Sequence, residues 1–123
     1  WQGVCRYLAK HVEPPRPAEM NEKGDLVEPV RPGDVVITGA WGSHLAVKYY
    51  AAGALAKVRI KPGLTARSTE DAIEAATGRP WYVTWGPMEE TVQLVVRSHM
   101  EEVATFPGFR GTIRIYRQRS GTP

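Results

Sequence analysis

The sequence predicts a small α/β domain of the two-layer α+β kind. Its strands form a mixed sheet with helices packed on one face, in the order β-α-β-α-β-β, behind a proline-rich N-terminal extension. Three observations predict it. The β-branched run Val35-Val36-Ile37 is followed by the glycine-bearing turn Gly39–Ser43 and then by a helical stretch. The segment Lys57-Val58-Arg59-Ile60-Lys61 alternates strictly, as a half-buried strand does. Two further alternating segments, Trp81–Trp85 and Thr112–Gln118, come later in the chain. A length of 123 residues suits one domain rather than two, and a hydrophobic content of 42% is enough to build its core.

Residues 1–32 read as an extension or docking arm, and residues 33–119 as the domain. Gln2–Val12 reads as a short helix, with Val4, Leu8 and Val12 four residues apart on one face. Pro14, Pro15 and Pro17 stop it, because proline has no backbone donor. Residues 13–32 hold five prolines and scattered charge, and so read as an extended tether or as an arm that orders on docking.

Pro32-Gly33 opens the domain with a turn, and the strand at 35–37 reads as central and buried on both faces. Ser43 reads as the cap of a helix over His44–Leu55. The free amides at that helix start, with His44 and Lys48 one turn apart, form a candidate phosphate seat. In the next strand Val58 and Ile60 face the core, which puts Lys57, Arg59 and Lys61 on the outer face. Arg67 comes after the Pro62-Gly63 turn. Ser68-Thr69-Glu70-Asp71 reads as a helix start, and Gly78 as the end of that helix. Trp81–Trp85 is a strand with Tyr82 and Thr84 on one side. Thr91–Arg97 reads as a strand, with a helix beginning near Pro87 as the competing reading. Residues 98–111 read as a loop or short helix, and Thr112–Gln118 as the last strand, with Arg114 and Tyr116 outward.

The net charge of +3 lies wholly after residue 32, since residues 1–32 carry five basic and five acidic side chains. Cations and aromatics alternating on outer strand faces suit single-stranded nucleic acid, with phosphates meeting the cations and bases stacking on the rings. The residues so assigned are His44, Lys48, Lys57, Arg59, Lys61, Arg67, Tyr82, Arg110, Arg114, Tyr116 and Arg117. Glu70, Asp71 and Glu74 read as surface acids matched to a helix dipole, not as a catalytic site. No nucleophile elbow, phosphate-binding loop or dinucleotide fingerprint is present, and the expectation is a non-enzyme without a cofactor. His11, His44 and His99 have no metal-ligand spacing, and the single Cys5 allows no internal disulfide. No apolar run approaches the ~18 residues of a membrane span.

The segments Val35–Gly39, the helix from Ser43, Lys57–Gly63, Ser68–Ala76 and Thr112–Arg117 together resemble the Alba superfamily of nucleic-acid-binding proteins. The resemblance implies dimeric or heteromeric pairing. It also implies contacts from the loop at Gly39–Ser43, from Lys61 and Arg67, and from an arm within Gly86–Arg110. The Gly39-Ala40-Trp41-Gly42 turn before a helix is also similar to the GxxG-bearing CRM domain of RNA binders. The expected function is therefore non-catalytic binding of nucleic acid, RNA before DNA, within a ribonucleoprotein assembly such as an organellar ribosome. A start at Trp1 is consistent with a removed presequence, and so with the mitochondrial matrix. The alternative expectation is a protein-docking subunit of a large organellar or phage complex.

Overall fold

A computed structural model describes residues 1–30, 32–51, 53–76, 78–108 and 111–119, with the backbone alone for Trp41 and Ala54. The chain forms α1 (Gln2–His11), β1 (Glu19–Met20), β2 (Leu26–Glu28), β3 (Val35–Thr38) and α2 (Trp41–Tyr50). A 3-10 helix at Gly53–Lys57 leads into β4 (Arg59–Pro62), α3 (Ala66–Ala75) and β5 (Pro80–Trp85). The last elements are α4 (Glu90–His99), β6 (Met100–Gly108) and β7 (Gly111–Gln118).

The protein is α/β, built on a five-stranded mixed sheet in the order β4-β3-β5-β7-β6. β3 pairs in parallel with β4 and β5, while β7 runs antiparallel to β5 and β6. β1 and β2 form a separate two-stranded hairpin.

The helices are divided between the two faces of this sheet rather than confined to one. Val4, Cys5, Leu8 and Val12 of the N-terminal segment pack with Val47, Leu55, Trp81, Val83 and Ile115 on one face. Ala72, Ile73, Val92 and Val96 pack with Val35, Ile37, Tyr82 and Tyr116 on the other. The residues read as an extension therefore divide in two. α1 is built into the core, and of the described residues only 13–30 and 32 leave it.

Local differences from the sequence reading have physical causes. α2 starts at Trp41 with Ala40 as its cap position, and Ser43 lies inside its first turn. It stops at Tyr50 because Gly53, at φ 59°, turns the chain into the 3-10 helix. Lys57 closes that helix, so the strand begins at Arg59 and not at Lys57. α3 is capped by Thr65, whose hydroxyl accepts from the Ser68 amide while the Ser68 hydroxyl accepts from the Thr65 amide. The segment from 91 to 97 is helical. Val92 and Val96, one turn apart, are buried, whereas Leu94 is 63% exposed. The loop expected over 98–111 is largely strand β6, paired along its length with β7. Among the described residues no helix is long and apolar enough to cross a membrane.

Asp34, at the amino end of β3, binds the layers together. Its buried carboxylate accepts from Trp81 Nε1 at 2.9 Å, from the Glu13 amide at 3.0 Å and from the Arg79 amide at 3.3 Å. The Asp34 amide in turn donates to Glu13 O, so one residue holds the root of the arm, β3 and β5 together.

Candidate nucleic-acid interface

Parallel pairing brings the amino ends of β3, β4 and β5 to one end of the sheet. Val35 lies between Arg59 and Pro80, and Trp81 pairs with Arg117. Arg59, Arg79 and Arg117 therefore mark a row across β4, β3, β5 and β7. Three strand spacings make that row roughly 14 Å wide. Lys57 precedes Arg59, Arg119 comes just after β7, and Arg97 lies on the last turn of α4 at the same end.

Two hollows open along this rim. One, of about 440 Å³, is lined by Lys57, Val58 and Arg59 with Pro15, Pro32, Gly33, Asp34 and Val35. The other, of about 410 Å³, is lined by Arg79, Arg117, Gln118 and Arg119. Gly78 packs on the Gly33 carbonyl between them, so closely that a Cβ there would overlap backbone.

The acids at this end are few or already engaged. Asp34 is buried on its three donors. Glu101 meets Arg117 Nη2 at 3.4 Å. Glu13 and Glu74 are exposed at the margins. Six cations thus face four acids here. The carboxyl end is balanced, with Lys61 and Arg67 against Glu89 and Glu90, while Glu70 and Asp71 lie mid-way along α3 and the pair Arg114–Glu102 lies between the two ends. A positive excess therefore sits at the rim end of the strands, a feature that the modest net charge hides.

α2 carries the chain from the carboxyl end of β3 back toward this rim. Its last turn exposes Lys48, Tyr49 and Tyr50. Tyr49 is 80% exposed, and the two rings meet edge to face with centroids 4.8 Å apart. Exposed rings beside cations are what base stacking needs.

The sequence-assigned residues fall into four groups. Lys48, Lys57, Arg59 and Arg117 belong to the rim or its flank. Lys61, Arg67 and His44 lie at the opposite end. Arg114 lies along β7, ion-paired to Glu102 at 3.2 Å. Arg110 is outside the described residues. Tyr82 and Tyr116 are corrected: they are 0% and 8% exposed and pack edge to face beneath α3 and α4. The face expected to meet solvent is covered by two helices, so neither ring is open to a base.

His44 is buried as well. Its Nδ1 lies 3.0 Å from Thr38 Oγ1, which also reaches Lys61 O. The hydroxyl and the ring nitrogen share one hydrogen bond, its direction set by the imidazole tautomer. Burial, and then the charge of Lys48, lower its pKa, which keeps it neutral at pH 7. His44 thus latches β3 to α2 and is not exposed to a phosphate.

Sequence reasoning missed Arg79, Arg97, Arg119, Tyr49 and Tyr50. The only local signal was an arginine beside each strand end and two adjacent tyrosines at a helix end. Register alone brings the arginines together. Among the described residues no cluster of His, Cys, Asp and Glu could hold a metal. In comparisons with family models, curated proteins and solved structures, the chain matches none.

Proposed function

We propose that this protein is a non-catalytic nucleic-acid-binding module that takes up single-stranded RNA along the rim at the amino end of its sheet. The observation that carries the reading is the uneven distribution of charge. Lys57, Arg59, Arg79, Arg97, Arg117 and Arg119 gather at one end, while the other is balanced, Lys61 and Arg67 against Glu89 and Glu90. Among the described residues Lys57, Arg59, Arg79 and Arg97 have no ion-pair partner. Cations gathered this way repel one another until phosphates neutralise them. A single strand is preferred over a duplex in this reading because Tyr49 and Tyr50 offer ring faces to unpaired bases.

The test is a pair of double variants in RNA binding at low salt. Arg59→Glu with Arg79→Glu reverses the rim and should weaken binding at least about tenfold, two phosphate contacts being lost. Lys61→Glu with Arg67→Glu reverses charge at the far end and should change it less than about threefold. Equal losses from both pairs would contradict the reading.

The hairpin β1–β2 favours a second reading, in which the chain is a docking subunit. Met20, Leu26, Val27 and Val30 are 57–67% exposed, an unusual apolar display for a two-stranded ribbon. Glu19, Glu22, Asp25 and Glu28 surround them, with Lys23 as the one cation between residues 19 and 28. The surface that fits is a protein patch that is both apolar and basic.

A further inference from the structure

The hollow at the β7 end of the rim differs from the rest of it. Among the described residues, three of the four that line it are arginines, and the fourth, Gln118, is an amide. All four side chains donate hydrogen bonds, and none is an acid.

The three guanidinium groups are held in different ways. Arg119 is fixed: its Nη2 donates to Arg97 O at 2.8 Å and its Nε to Met100 O at 3.2 Å, at the C-terminal end of α4. That geometry spends two of its five donors and leaves the others for a ligand. Arg117 meets Glu101 through one contact of 3.4 Å, with both side chains more than a third exposed. A long, half-exposed pair is worth little and is readily exchanged for a better anion. Arg79 makes no side-chain hydrogen bond or ion pair among the described residues. Its position is set by its backbone, since its amide donates to Asp34 and Gly78 before it packs on Gly33.

A cavity of about 410 Å³ with three such groups is small and concave. It suits a group at the end of a chain better than a strand passing through. A phosphodiester carries one negative charge, whereas a phosphate monoester carries about −1.5 to −2 at pH 7 and offers three strong acceptor oxygens. Arginine forks match those oxygens two at a time.

We infer that the hollow of Arg79, Arg117, Gln118 and Arg119 binds a terminal phosphate monoester of the nucleic-acid strand lying along the rim. The inference rests on the nucleic-acid function proposed for the rim and adds to it a recognised end. Lys57 and Arg59, two strands away, then meet internal phosphates of the same strand. Tyr49 and Tyr50 take up a base near that flank.

The experiment compares one short RNA sequence in three forms: with a 5′-phosphate, with a 3′-phosphate, and with hydroxyls at both ends. Binding of each to the wild-type chain is measured at fixed salt. Adenosine monophosphate and inorganic phosphate are titrated separately. The expected result is that one phosphorylated form binds about tenfold more tightly than the unphosphorylated RNA. That preference, read as the ratio of phosphorylated to unphosphorylated affinity within each variant, should fall to about one in Arg79→Gln and in Arg117→Gln, the loss of one rim cation weakening all three RNAs alike. Thermal unfolding of each variant shows whether the fold is kept, and the wild-type comparison stands without any variant.

Equal binding of all three RNAs would overturn the end-recognition inference and leave the nucleic-acid reading intact. Binding of adenosine monophosphate as tight as that of the phosphorylated RNA would also overturn it, making the hollow a nucleotide site. No binding of any RNA at low salt would overturn the nucleic-acid reading, and end recognition with it.

Discussion

Tyr82 shows how one residue can be read correctly for its element and wrongly for its role. Alternation places it on the opposite side of β5 from Trp81 and Val83, and the structure agrees. The alternation is silent on whether that side meets water, and α3 and α4 cover it. Its hydroxyl is buried without a hydrogen-bond partner, against Gly39. Burial, and then Tyr116, push its pKa up to about 12 from the usual 10. The folded state therefore holds the phenolic proton more tightly than the unfolded chain does. Stability accordingly falls as pH rises above 10 and levels off near 12. Tyr82→Phe should remove that alkaline decline. At pH 7 it should leave stability unchanged or higher by up to about 1 kcal/mol, since it deletes an unsatisfied buried group. Denaturant unfolding at pH 7 and pH 11 checks both. Asp34 is the converse case, a buried polar residue with every contact used. Asp34→Ala strands Trp81 Nε1 and two amides, and should cost about 2–4 kcal/mol in the same assay.

At the scale of elements, those with a single consistent signal were legible in the sequence. α1, β3, β5 and β7 lie within a residue or two of where periodicity puts them. The ends of α2 and β4 were not, because Gly53 and the 3-10 helix shift the boundary by several residues. The segment 91–97 fits both periods, since Val92, Leu94 and Val96 alternate while Val92 and Val96 also sit one turn apart. Only packing against Ala72 and Ile73 of α3 decides for the helix. The rim was illegible for a related reason. Its arginines are spread from Arg59 to Arg119, and strand order gathers them. The hairpin β1–β2 arises from local chemistry: Asn21 Oδ1 accepts from the amides of Lys23 and Asp25, and Gly24 takes φ 82° in the turn. It packs into neither core cluster. Replacing residues 19–28 with a short glycine-serine link should leave thermal stability within about 1 kcal/mol, because little core is lost. RNA affinity should be unchanged or higher, since four acids leave with one lysine. A fall in RNA affinity would show that the hairpin takes part in binding.

At the scale of the whole molecule, the strands act as an axis with a positive end and a balanced end. β3, β4 and β5 begin together and end together, so the segments entering these strands lie at one end and the segments leaving them lie at the other. Arginines precede or begin β4 and β5. After β5, α4 starts with Glu89-Glu90, whereas α3, expected to start with acids at Glu70-Asp71, begins at Ala66 and carries no acid in its first turn. The acids at the start of α4 match its dipole, and the basic side chains Arg97 and His99 of its last turn lie at the rim. Helices cover much of both sheet faces, and on the reading proposed above the strand lies along the rim.

The central claim is that phosphates neutralise this rim, and the measurement that tests it most directly is the salt dependence of binding. The affinity of the whole chain for a short single-stranded RNA is measured from about 50 to 300 mM salt. With three to five rim cations engaged, log affinity should fall linearly with log salt at a slope of about −2 to −3.5. In the Arg59→Glu, Arg79→Glu variant the slope should be shallower by about one or more. A slope near zero, or the same slope in wild type and variant, would contradict the account.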